Sequence, residues 1–96
     1  MNKIKLNNVE FEVENYNKST YFSNDTISTN ANCSIITDNI TALNELAEDE
    51  ITSIQIHHDD TLIYNLADIS ARIDSINEWL NGDRMSISVN FTFSNI

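Results

Sequence analysis

Apolar and polar side chains alternate with period two along much of this chain, which restricts it to a fold built largely from half-buried β-strands. From Thr26 to Thr37, Ile27, Thr29, Ala31, Cys33 and Ile35 share one face, while Ser28, Asn30, Asn32 and Ser34 take the other. A closing strand over 84–94 repeats the pattern, with Met85, Ile87, Val89, Phe91 and Phe93 set against Ser86, Ser88, Asn90 and Thr92. The first residues read as a hairpin over 2–14 with a two-residue Asn7-Asn8 turn, because asparagine tolerates positive φ. That register pairs Leu6 with Val9, Lys5 with Glu10, Ile4 with Phe11 and Lys3 with Glu12. One face is then wholly apolar, and the other carries opposite-charge pairs worth ~0.2–1 kcal/mol each.

Between these strands the pattern changes. Asn15 to Thr26 is the most polar segment and is expected to be a mobile loop, although it contains Tyr21 and Phe22. A short helix is expected over 41–49, with Thr41 as N-cap and an apolar stripe of Leu43, Leu46 and Ala47. The acids Glu48, Asp49 and Glu50 crowd its C-terminal end, where the helix dipole disfavours them, so it should be short. Residues 51–66 read as a second hairpin turning at Asp59-Asp60, with Ile56 opposite Ile63. Its other face would carry Leu62, Tyr64 and Leu66, too apolar to be left in water, so a helix or another subunit is expected to cover it.

The stretch 68–80 favours a helix, because Ile69, Ile73, Ile76 and Leu80 recur as one amphipathic stripe with Gly82 as a C-terminal cap. As a strand, Ile69, Ala71 and Ile73 alternate, but Ile76 and Leu80 fall on the opposite face. Asn81-Gly82 is also a strong hairpin signal, so the strand alternative stays open. The expected fold is α+β, mostly antiparallel β, in a single domain over 1–96.

The chain holds fifteen acids against five Lys and Arg, a formal net charge of −10. Nucleic acid and anionic lipid are held by Lys and Arg, so direct binding to either is not expected. No stretch approaches the ~18 consecutive apolar residues of a membrane span. The N-terminal residues lack a signal-peptide apolar run, so a cytoplasmic protein is expected, carried elsewhere only by assembly. The one cysteine, Cys33, lies on the apolar face of its strand, where a thiol behaves as a small buried hydrophobe.

Chemistry-bearing constellations are few. His57-His58-Asp59-Asp60 is the one cluster of metal-ligating residue types, but on a strand its two histidines point to opposite faces, and it reads as a polar turn. A single glycine cannot build a phosphate-cradling loop, and no serine or cysteine has a histidine–carboxylate pair assigned to it by spacing. No catalytic residue, cofactor or metal is therefore expected, and the chain is not expected to be an enzyme. Candidate interface residues are Leu62, Tyr64 and Leu66 with the aromatics Trp79, Tyr21 and Phe22. Arg84 is placed to stack on Trp79 across the Asn81-Gly82 turn. Glu10, Glu12 and Glu14 form a second candidate surface, since acids on alternate strand positions project at ~6.6 Å intervals and resemble a phosphate backbone. The other acids, among them Asp25, Asp38, Glu45, Asp68, Asp74 and Asp83, are scattered.

Taken together, the opening hairpin, long alternating strand, short mid-chain helix and terminal strand Arg84-Met85-Ser86-Ile87-Ser88-Val89-Asn90-Phe91-Thr92-Phe93 resemble the small β-rich structural proteins of bacteriophage virions, especially tail and baseplate components. That resemblance implies a non-catalytic subunit, homo-oligomeric or attached to a larger virion assembly, whose sheet edges are covered by neighbouring copies. The alternative is a small acidic inhibitor, similar to anti-CRISPR or DNA-mimic proteins, that blocks a basic nucleic-acid channel.

Overall fold

Among the described residues, seven strands and one helix follow one another as β1 (Asn2–Leu6), β2 (Val9–Ser23), β3 (Thr26–Ile36), α1 (Ile40–Ala47), β4 (Ile54–His58), β5 (Thr61–Leu66), β6 (Ser70–Asn81) and β7 (Arg84–Asn95). The structure, a computed structural model, describes residues 1–37 and 39–95, with the side chains of Asn81 and Asn95 left aside. The strands form one antiparallel sheet in the order β5-β4-β1-β2-β3-β7-β6.

The first hairpin has the register expected from its turn, with Leu6 opposite Val9 and Lys3 opposite Glu12. Asn7 and Asn8 both take positive φ, 51° and 72°, as a type I′ turn requires. Asn7 also ties the turn to the chain leading into β4. Its Oδ1 accepts from the Thr52 N–H at 2.8 Å and the Thr52 hydroxyl at 3.0 Å, and its Nδ2 donates to the Glu50 carbonyl at 2.7 Å.

Four expectations are corrected. The polar segment from Asn15 onward is not a loop but the outer half of β2, paired with β3 down to Ser23–Thr26. The register shifts between Val13 and Asn15, so Glu14 is an extra, bulged residue. The inward set therefore changes from Phe11 and Val13 to Tyr16, Lys18, Thr20 and Phe22, and this change of phase is what hides the strand in the sequence.

The expected helix over 68–80 is instead β6. A shift between Ile73 and Ser75 makes Asp74 the extra residue, which returns Ile76 to the face of Ala71 and Ile73, opposite Val89. One bulge thus converts a helical spacing into a strand. The turn that follows is Gly82-Asp83, between the pair Asn81–Arg84, with Gly82 at φ 70°.

In the β4–β5 hairpin, Ile56 faces Tyr64 rather than Ile63, because the register shifts beyond the pair His57–Leu62. Ile63 is the bulged residue and is 59% exposed. Residues 51–53 stand outside this hairpin. Ile51 bridges Ala71 of β6 through reciprocal bonds of 2.8 and 3.0 Å.

That bridge closes a ring. β4 pairs with β1, and the sheet runs through β2, β3, β7 and β6 until Ala71 meets the segment that enters β4. Curling is visible from the side chains as well, since Tyr16 of β2 and Tyr64 of β5 place their ring centroids 5.3 Å apart although two strands separate them. The ring encloses a core that includes Ile4, Leu6, Phe11, Val13, Cys33, Ile35, Ile54, Val89 and Phe91.

The helix begins at Ile40, one residue before the expected start, and Asn39 rather than Thr41 caps it, accepting from the Ala42 N–H at 3.3 Å. It ends at Ala47, short of Asp49. Its Leu43 and Leu46 are buried in the core.

Candidate interaction surface

Two hairpins outrun the ring in opposite directions. β3 pairs with β7 from Thr29–Phe93 to Ile35–Ile87. The β2–β3 turn at Asn24-Asp25 therefore projects beyond the Thr29 end, and the β6–β7 turn at Gly82-Asp83 projects beyond the Ile35 end. The molecule is correspondingly long, 46 × 29 × 22 Å.

Exposed large hydrophobic side chains gather on these projecting ends. Tyr21, Phe22 and Ile27 lie on the β2–β3 arm, and Trp79, Leu80 and Met85 on the β6–β7 arm. Register assigns them to faces. Phe22 pairs with Ile27, two positions beyond the pair formed by Thr20 and the buried Thr29, so both continue the inner, core-lining face. Leu80 pairs with Met85, two positions beyond Glu78 and the buried Ile87, so they continue the same face at the other end. Phe22 is 78% exposed and Leu80 67%. Tyr21 and Trp79 lie on the outer face, opposite Ser28 and Ser86.

The six candidate residues thus separate into three places. Leu62 is exposed on edge strand β5, whereas Tyr64 and Leu66 turn inward and pack against the core. The expected Leu62/Tyr64/Leu66 face does not exist, because the Ile63 bulge sends its members to opposite sides. Arg84 bonds the Glu14 carboxylate rather than stacking on Trp79. Ile27, Leu80 and Met85 escaped the sequence reading. For Ile27 a signal was present: Asn24-Asp25 between Ser23 and Thr26 is itself a two-residue turn composition that places Phe22 opposite Ile27.

The acidic ladder is interrupted. Glu10 and Glu12 share the outer face of β2, but Glu14 is the bulged residue. Lys3 Nζ lies 3.7 Å from Glu10 Oε1, and Glu14 is engaged by Arg84. Asp38 lies outside the described residues.

The histidine cluster forms the β4–β5 turn and one wall of an open cavity of about 280 Å³ lined by Met1, Lys3, His57, Asp59 and Asp60. Asp59 and Asp60 take φ 48° and 70°. The N-terminal ammonium donates to Asp59 Oδ1 at 2.7 Å, and this bond, aided by the nearby His58, holds the Asp59 carboxyl below its usual range. His58 Nδ1 is 2.7 Å from Asn2 Oδ1, while His57 Nδ1 is buried without a partner. Among the described residues, no three His, Cys, Asp or Glu side chains converge as a metal site would require.

Two buried groups complete the inventory. Burial pushes the Cys33 thiol up to about 12, which makes it a poor nucleophile near neutral pH. The Tyr16 hydroxyl has no hydrogen-bond partner, and burial, then the neighbouring Tyr64, raises it well above the ordinary phenol value. Among the described residues, no helix is long and apolar enough to cross a membrane. Comparisons with protein-family models, with curated proteins and with solved structures each gave no match.

Proposed function

We propose that this chain is a non-catalytic structural subunit that acts through protein–protein contacts made by its projecting hairpins. The observation that carries this reading is the apolar inner face, which extends past the core at both ends and is left in water as Phe22, Ile27, Leu80 and Met85. Exposed apolar groups concentrated at projecting tips are a recognised mark of an association surface, whereas single scattered ones need no explanation. Open edge strands at β5 and along the outer part of β6 add further places for contact. In its finer form the reading places the subunit in a bacteriophage tail or baseplate, on the strength of the order of its elements.

Size-exclusion chromatography with light scattering, at high loading and at two salt concentrations, tests the proposal. The expected mass exceeds that of the monomer and changes little with salt, because apolar contact is only weakly screened. A strictly monomeric protein at every concentration contradicts it. The acidic-inhibitor alternative draws on the net charge of −10. It calls instead for a basic partner whose binding falls steeply as salt rises.

A further inference from the structure

We propose that the outer face shared by β2, β3, β7 and β6 binds a neutral polysaccharide, with Trp79 as the stacking platform at one corner. Register lays this face out as a lattice. Asn17, Asn32, Asn90 and Ser75 stand opposite one another across the four strands. The row on one side runs from Asn15 through Ser34 and Ser88 to Asn77. The row on the other runs from Ser19 through Asn30 and Thr92 to Arg72. These positions face away from the core, because the residues that alternate with them, among them Cys33, Val89 and Phe91, are buried inside. Every position but Arg72 is an amide or a hydroxyl. Most of these groups are open to a ligand. The Asn90 amide donates to the Ser75 hydroxyl at 2.9 Å and the Thr92 hydroxyl donates to Asp74. Among the described residues, no other side-chain hydrogen bond engages the three rows.

Charge and chemistry narrow the occupant. The chain carries a net charge of −10, yet the lattice itself holds no acid. Asp74 and Glu14, the bulged residues at its border, are engaged by Thr92 and Arg84. Nucleic acid is held by clustered Lys and Arg, and Arg72 stands alone here. A protein partner calls for an apolar centre to the patch, and the centre of this one is asparagine. The lattice matches a ligand that is uncharged and presents donors and acceptors at every step, because each carboxamide offers both. A neutral polysaccharide is such a ligand.

Trp79 adds an independent observation. It lies on the same face beyond Asn77, opposite Ser86, and is 44% exposed. Arg84 is held by Glu14 rather than stacked on the indole, which also takes no part in the aromatic and cation contacts of the described residues. An open indole offers a broad apolar surface for the C–H face of a sugar ring. Tyr21, opposite Ser28 and also exposed, stands at the diagonally opposite corner. A glycan chain laid diagonally over the rows therefore meets a ring at each end.

Native affinity electrophoresis of the full chain tests the proposal, in gels cast with dextran, laminarin, arabinoxylan or galactomannan, and with polygalacturonate as the charged control. Each protein is compared with its own mobility in a plain gel. Retardation is expected in at least one neutral gel and not in polygalacturonate. An oligosaccharide of the retarding polymer is expected to shift the emission of Trp79, the single tryptophan of the chain. Trp79→Ala is expected to weaken retardation several-fold, and so is Asn32→Asp/Asn90→Asp, which keeps side-chain size but charges the middle row. Circular-dichroism melts of both verify an intact fold, and Phe22→Ser, on the inner face, is expected to bind as the wild type does. Free migration in all four neutral gels overturns the proposal. So does retardation that survives Trp79→Ala and the charged row alike, or that occurs in polygalacturonate alone. Each of these outcomes leaves the assembly reading standing, since that reading rests on the inner face.

Discussion

The β1–β2 and β4–β5 hairpins start from nearly identical turns and end differently. Asn7-Asn8 has φ of 51° and 72°, and Asp59-Asp60 has 48° and 70°. Each sets the register of the pairs next to it, Leu6–Val9 in one and His58–Thr61 in the other. The first hairpin keeps that register to the end of β1. The second slips by one residue at Ile63. Without the slip, Asn65 would oppose the buried Ile54, while Tyr64 and Leu66 would face water. With it, Tyr64 and Leu66 turn inward, and Ile63 joins Leu62 in water. Two large apolar side chains outweigh one, at ~1.5–3 kcal/mol for each fully buried. A turn therefore governs register only up to the first bulge, and burial decides where the bulge falls.

The double substitution Tyr64→Ser/Leu66→Ser attacks this difference most directly. It removes the burial that favours the bulge and is expected to cost about 2–4 kcal/mol in urea unfolding. Deleting Ile63 instead leaves Tyr64 opposite Ile56 and Leu66 opposite Ile54 in an unbroken ladder, for an expected change below about 1 kcal/mol. A deletion as costly as the double substitution breaks the argument. The two turns differ next in what they hold. Asn7→Gly suits the positive φ but removes the three bonds to Glu50 and Thr52, for an expected loss of about 2 kcal/mol. Asp59→Gly at the equivalent position loses a solvent-exposed ion pair, and its melting temperature is expected to stay near that of the wild type.

Tyr16→Phe probes the contact between β2 and β5. Because the hydroxyl is buried without a partner, its removal is expected to stabilise the chain by up to about 1 kcal/mol, read from the urea midpoint. Smallest is the acid response of the second turn. The Asp59 pKa is lower folded than unfolded, so its contribution is present above the unfolded value of 3.8 and disappears as pH falls through the folded one. Asp59→Asn should therefore flatten the stability–pH slope slightly below pH 4.

The legible parts of the fold were those where alternation runs unbroken. β1, the inner half of β2, β3 and β7 keep one phase from end to end or up to a bulge, so the two faces of each, and the register of β1 with β2, followed from residue type. The tight Asn-Asn turn and the stripe of Leu43 and Leu46 were equally readable, because local backbone geometry and a single periodicity decide them. Of the proposed surface, Phe22 was in view, while Ile27, Leu80 and Met85 were not. Their exposure depends on how far each hairpin outruns its neighbours, and no local pattern encodes that length.

The amino-acid order by itself determined a mostly antiparallel β fold, the short helix that buries Leu43 and Leu46, an apolar face on each unbroken strand and an acidic composition. Tertiary structure decided the bulges at Glu14, Ile63 and Asp74, the strand identity of 70–81 and the closure of the ring by Ile51 and Ala71. The reason is parity. A side chain on a strand has only two directions available, so one extra residue reverses every position beyond it. Whether that reversal is favourable depends on what the curled sheet brings opposite from distant strands.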